Sequence, residues 1–230
     1  MSFHQDKQIE IINKIEGQIK NNSLQATVVV PVADFAEDKR ICLTSVHFPK
    51  TQFTDSISRN IINPLKAIFP NAYYYEPSSL HLTIKNIKTI CDPPTFTPHD
   101  VETAKNVLNQ VLSSHTRFNI YPYRLLLFKN NLALMSTTDE ELDKIILHLD
   151  TELKISGIAD NKQYINDKYF FSNMTVARFS ATPNDLFREK VEEISASLNL
   201  PSYSVDSVSL ITGNAVMKKL TVHSQVNLKD

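Results

Sequence analysis

Glycine is scarce in this chain, with three in 230 residues. That scarcity excludes the glycine-rich loops that hold phosphates on backbone amides; neither G-x-x-x-x-G-K nor G-x-G-x-x-G occurs. A phosphate bound here has to be held by side chains or helix ends. Cysteine is as rare: Cys42 and Cys91 are the only two, without C-x-x-C spacing. This argues against a disulfide framework and a zinc site, and it suits a reducing cytosol. No apolar run reaches the length of a membrane span or a signal-peptide core. An excess of either charge sign is also missing. The net charge is −1, so no global field draws in nucleic acid, and any RNA-binding surface must be local. What is present is an ordinary 42% of apolar residues, enough to build one large domain or two small lobes.

Ile9, Ile12, Ile15 and Ile19 recur at helical spacing between Phe3 and Asn21, predicting an amphipathic helix ahead of the main fold. The expected division is a helical extension over 1–24 and a single bilobal domain over 25–230. Ala26 to Val32 and Ile41 to Phe48 read as a hairpin around the charged turn Glu37-Asp38-Lys39-Arg40. Asp55 to Phe69 puts Ile57, Ile61, Ile62, Leu65 and Ile68 on one helical face, with Pro64 ending or kinking it. A strand follows over Ser79 to Ile87. Thr97-Pro98-His99-Asp100 then supplies a cap, a proline at the first helical position and an acid three residues after the cap. Two strand-like runs, Phe118 to Phe128 and Leu132 to Ser136, come next.

The second half repeats this order. Thr138 and Glu141 form a capping-box pattern before Leu142, Ile145, Ile146 and Leu149. A strand over Tyr169 to Phe179, a helix opened by Thr182-Pro183-Asn184-Asp185 and two closing strands, Tyr203 to Ile211 and Lys219 to Leu228, complete it. Helix, strand, Thr-Pro helix and strand pair occur twice, which reads as an internal repeat.

The two equivalent strands carry the chemistry. One contains His81-Leu82-Thr83-Ile84 and the other Asn173-Met174-Thr175-Val176. Residues i and i+2 of a strand share a face, so His81 joins Thr83 and Asn173 joins Thr175. An imidazole can move a proton near neutral pH, and hydroxyls can hydrogen-bond phosphate oxygens. Lys85 shares the His81 face by simple alternation and adds a positive charge. Arg178 falls on the face opposite Thr175, so a bulge is needed to aim it inward. The adjacent rings Tyr73, Tyr74 and Tyr75 cannot all face a strand core, so at least one is expected to be exposed. His4, His47, His99, His115, His148 and His223 show no metal-ligand spacing. They read as structural or surface, with one reservation for His223 in the closing strand pair.

His81-Leu82-Thr83-Ile84 and Asn173-Met174-Thr175-Val176-Ala177-Arg178-Phe179, about ninety residues apart, resemble the 2H phosphoesterase superfamily. The nearest look is to its RNA 2′,3′-cyclic phosphodiesterase branch, also called 2′-5′ RNA ligases. The resemblance runs from about Ala26 onward. It implies an α+β fold of two pseudo-symmetric lobes of antiparallel sheet with flanking helices around a central cleft, the motif strands side by side at its floor. It further implies metal-independent and cofactor-free chemistry on a 2′,3′-cyclic phosphate or 2′-5′ phosphodiester of a nucleotide or RNA terminus. The expected setting is a monomer in the cytoplasm, away from membrane. His81, Thr83, Asn173 and Thr175 take the catalytic positions. Lys85, Tyr164, Tyr169 and Arg178 take substrate-binding positions, the two tyrosines by stacking.

Asn173 departs from that pattern, because the second motif of the family carries a histidine. A carboxamide neither gains nor loses a proton at accessible pH. Three explanations stand open: a degenerate protein that binds without turnover, a weak or redirected enzyme working through His81, or an engineered substitution. A vestigial interaction scaffold on the same fold is a further alternative. Whether the chain is an enzyme is therefore left undecided by the sequence.

Overall fold

The computed structural model describes residues 2–25, 29–162 and 166–230. In chain order they form α1 (Phe3–Lys20), β1 (Ile41–His47), α2 (Thr51–Ile57), α3 (Asn63–Ile68), β2 (Tyr73–Tyr74), β3 (Leu82–Cys91), α4 (Pro98–Leu112), β4 (Phe118–Leu127) and β5 (Asn131–Thr138). Then come α5 (Glu141–Ile155), β6 (Ser172–Arg178), α6 (Asp185–Ala196), β7 (Tyr203–Val205), β8 (Ser207–Gly213) and β9 (Leu220–Asn227). The strands build two sheets, ordered β3-β1-β8-β9 and β2-β6-β5-β4-β7, with every strand pair antiparallel.

The repeat is present but exchanged between lobes. The strand pair that follows α4 lies beside β6; after α6, the short β7 joins the edge of that same sheet at β4, and the pair β8 and β9 lies beside β1. Each motif strand thus sits in a sheet completed by the other half of the chain. β3 and β6 remain in separate sheets and contact each other where the sheets meet. Leu43, Leu82, Leu132, Leu134, Met174 and Leu210 turn one face of both sheets into a common core against the helices. The opposite faces are left to form a cleft.

Several local expectations change. The hairpin is not formed: residues 29–32 are not strand, Ala26, Thr27 and Val28 lie outside the described residues, and β1 pairs with β3 and β8 instead. Pro64 does not end its helix. A π-helical turn over Ser58–Ile62 precedes it, with Asn63 N–H bonded to the Ser58 carbonyl. The wider turn eases the ring past the carbonyl it would strike in a regular helix. Thr97 and Asp100 form the expected capping box on α4. Thr138 and Glu141 do not form one on α5, because Thr138 stays in β5 and Glu141 accepts from His115 Nδ1 at 2.7 Å. On α6 the cap is Asn184, whose Oδ1 accepts from Phe187 N–H, rather than Thr182.

α1 is tied to the body by buried polar bonds as well as by packing. Gln8 is fully buried; its amide donates to Thr138 Oγ1 at 2.7 Å and accepts from Thr138 N–H at 2.8 Å. His4 Nε2 lies 2.7 Å from Asp143 Oδ2. No helix among the described residues is long and apolar enough to cross a membrane.

Candidate functional site

His81 stands just after a 3₁₀ turn, Pro77–Ser79, at the entry to β3. The carbonyl of Ser79 accepts from its Nδ1 at 2.8 Å. A carbonyl only accepts, so Nδ1 carries the proton and Nε2 keeps its lone pair. The Phe48 and Tyr75 rings flank the imidazole at 6.2 and 6.0 Å. Burial pushes its pKa down to about 4; the Ser79 bond opposes this and the nearby Arg178 adds to it. At neutral pH His81 is therefore a neutral base.

His81, Thr83, Asn173, Thr175 and Arg178 all line one cleft of about 370 Å³ between the sheets. The side chains of Thr83, Asn173 and Thr175 make no hydrogen bond to the described residues. Their donors and acceptors are left for whatever enters the cleft. His223 is not at this cleft; its Nε2 lies 2.9 Å from Thr212 Oγ1 on the neighbouring strand. No cluster of three or more metal-ligating side chains occurs among the described residues.

The register of the two motif strands decides which further residues reach the cleft. In β3, Thr83 faces Val46 and Lys85 faces the next residue back, Ser45. Ile84 is thus an extra, bulged residue. In β6, Thr175 faces Ala133 and Ala177 faces Leu132, which makes Val176 the extra residue. The two bulges occupy the same place in the repeat. Each inverts the alternation after it. Lys85 and Ala177 turn away, while Asn86 and Arg178 turn in and line the cleft.

Lys85 consequently has a different role from the one alternation suggests. It is 2% exposed, and its Nζ is held by Asp160 at 2.7 Å and Asp150 at 2.9 Å. Removing one member of such a cluster leaves a poorly solvated charge behind. Lys85→Met is expected to lower the unfolding free energy by about 3 kcal/mol, read by urea denaturation. An unchanged midpoint would contradict that.

Arg178 differs in kind. It is 8% exposed and has no carboxylate partner among the described residues. Its Nε donates to Tyr75 Oη at 2.8 Å, and that hydroxyl donates to the Ala215 carbonyl at 2.6 Å. Tyr75, 2% exposed, is therefore the brace of the guanidinium. None of the three adjacent tyrosines is fully exposed, because Tyr73 and Tyr74 pair with β6 and are half-buried against the main core. A buried, braced cation with no carboxylate beside it, next to free hydroxyls, suits an anion.

Tyr169 is half-buried with its ring edge-on to His4 of α1 at 5.8 Å, and it does not line the cleft. Tyr164 lies outside the described residues. Phe170 and Phe171 line the cleft in their place. Neither these nor Asn86 follows from motif reading; the signal that could have found Asn86 is its match in the repeat to Arg178. Lys162 also lines the cleft, with burial pushing its pKa down, Asp160 opposing and Lys85 adding. The Cys42 thiol at the cleft is pushed up to about 11 by burial, so it stays protonated and is no nucleophile near neutral pH.

No family model matches the sequence, and no curated protein matches it. Solved structures do. A protein described as a phosphoesterase superimposes with a TM-score of 0.56 at 13% identity, over 84% of this chain and 100% of that one. LigT of E. coli, in complex with phosphate, gives 0.53 at 12%, again over 84% and 100%. TT0787 of Thermus thermophilus gives 0.57 at 12%, over 83% and 98%. Two antiparallel sheets with flanking helices around a shared cleft, superimposable on these proteins over most of its length, give this chain a 2H phosphoesterase-like fold.

Proposed function

We propose that the cleft binds the phosphate of a nucleotide or RNA terminus bearing a 2′,3′-cyclic phosphate or a 2′-5′ linkage, and opens that phosphodiester slowly. The observation that carries this reading is the convergence of His81, Thr83, Asn173, Thr175 and Arg178 on one cleft. Arg178 balances the phosphate charge, and the Thr83 and Thr175 hydroxyls donate to its non-bridging oxygens. His81 Nε2 takes a proton from water as the water oxygen bonds to phosphorus. The bond from phosphorus to one ribose oxygen then breaks. Asn173 can donate a hydrogen bond to that oxygen but no proton, so solvent protonates it. LigT of E. coli has been solved with phosphate, 3′-AMP and ATP, which supports a nucleotide phosphate as the ligand class.

The test compares wild type with His81→Ala on 2′,3′-cyclic nucleotides and 2′-5′-linked dinucleotides. Loss of the general base is expected to lower turnover by about 10²-fold or more. Equal rates for the two proteins would sink the role of His81. Asn173 favours a second reading, a nucleotide-binding module without turnover. It predicts ligand binding by calorimetry with no product from wild type at any pH.

A further inference from the structure

The alternation of β5 places Leu132 and Leu134 in the main core and Ala133 and Met135 on the opposite face. Ala133 and Met135 are the register partners of Thr175 and Asn173. They therefore share the cleft face of their sheet. α1 packs on that same face: Ile12 and Ile15 form a small core with Leu126, Ala133 and Met135. The N-terminal helix is consequently a wall of the cleft, beside the second motif. Ile15 and Leu24 reach the cleft together with Phe128, Met135, Phe170 and Phe171. The buried Gln8 bonds and the Glu16–Arg124 ion pair fix the wall in place.

The cleft thus has a polar end with one phosphate-sized set of donors and an apolar end. Its cationic lining among the described residues is Arg178 and Lys162. A polynucleotide needs a track of cations along successive phosphates, and the α1 side offers apolar side chains instead. We propose that α1 restricts the cleft to mononucleotide-sized phosphoesters, whose flat base packs on the half-buried Leu24, Phe128 and Phe171 beside the α1 core, and excludes an RNA chain extending across it. This rests on the phosphodiester reading above and narrows its substrate class. Leu24 and Phe128 become specificity-determining residues.

Calorimetric titrations of the full chain with inorganic phosphate, adenosine 3′-monophosphate and a 3′-phosphorylated RNA hexanucleotide test it. The mononucleotide should bind more tightly than phosphate, and the hexanucleotide no more tightly than the mononucleotide. Leu24→Asn makes the apolar end polar and should weaken mononucleotide binding about tenfold while phosphate binding is unchanged. A melting curve checks that the variant is folded; Phe128→Ala, which removes part of the wall, serves if it is not, and should weaken the mononucleotide but not phosphate. A hexanucleotide that binds ten times more tightly than the mononucleotide overturns the restriction while leaving the phosphodiester reading intact. Equal weakening of phosphate and mononucleotide by either folded variant overturns it as well. If phosphate and both nucleotides all fail to bind, the phosphodiester reading falls, and the restriction falls with it.

Discussion

An Asn173→His variant is expected to hydrolyse a 2′,3′-cyclic nucleotide faster than the wild-type chain, by about 10²- to 10⁴-fold, the worth of one positioned proton-transfer group. Asn173 lies in the position that matches His81 in the repeat, two residues before a threonine and three before a bulge. Both positions face the same cleft. The variant therefore adds a proton donor for the leaving ribose oxygen without moving the base. The pH profile should change with it. In the proposed reaction His81 acts as a neutral base, and its pKa is pushed down to about 4. The wild-type kcat/KM therefore rises as pH climbs through about 4 and stays level across neutral pH, since Asn173 does not titrate. The introduced imidazole must be protonated to act, so its loss of a proton adds an alkaline limb and the profile becomes bell-shaped. A variant no faster than wild type, with a profile that keeps a single limb, would contradict this.

The second large effect is expected at Arg178. Arg178→Met should weaken binding of a 3′-nucleotide by about 10²-fold, within the range for removing a buried charge-assisted contact. Stability should move the other way or not at all. The guanidinium is a buried cation without a carboxylate partner among the described residues, so a methionine of similar length relieves its desolvation. Tyr75 keeps its bond to the Ala215 carbonyl when the arginine is gone. Weaker binding with an unchanged or raised melting temperature marks a residue kept for its ligand rather than for the fold. Unchanged affinity, or a loss explained by unfolding, would contradict the assignment.

Much of this was legible in the sequence. The strand motifs, the Thr97 capping box and the repeated order of elements all depend on local periodicity, which one chain displays. The exchange of strand pairs between lobes did not follow from the sequence, because pairing partners are chosen by the tertiary core. The bulges at Ile84 and Val176 were equally hidden. A strand read by strict alternation assigns Lys85 to the cleft and Arg178 away from it, and one inserted residue in each strand reverses both. The isoleucines of α1 announced a helix, but the face they cover is decided by the exposed apolar side of β4 and β5. The hairpin expected before β1 failed because β3 and β8 already take both edges of β1.

The most direct test of the cleft is a crystal structure of the chain with a bound 3′-nucleotide monophosphate. The account predicts phosphate oxygens accepting hydrogen bonds from Thr83 Oγ1, Thr175 Oγ1 and the Arg178 guanidinium, with His81 Nε2 facing the phosphorus. A phosphate seated elsewhere, or a cleft left empty at saturating nucleotide, would contradict it.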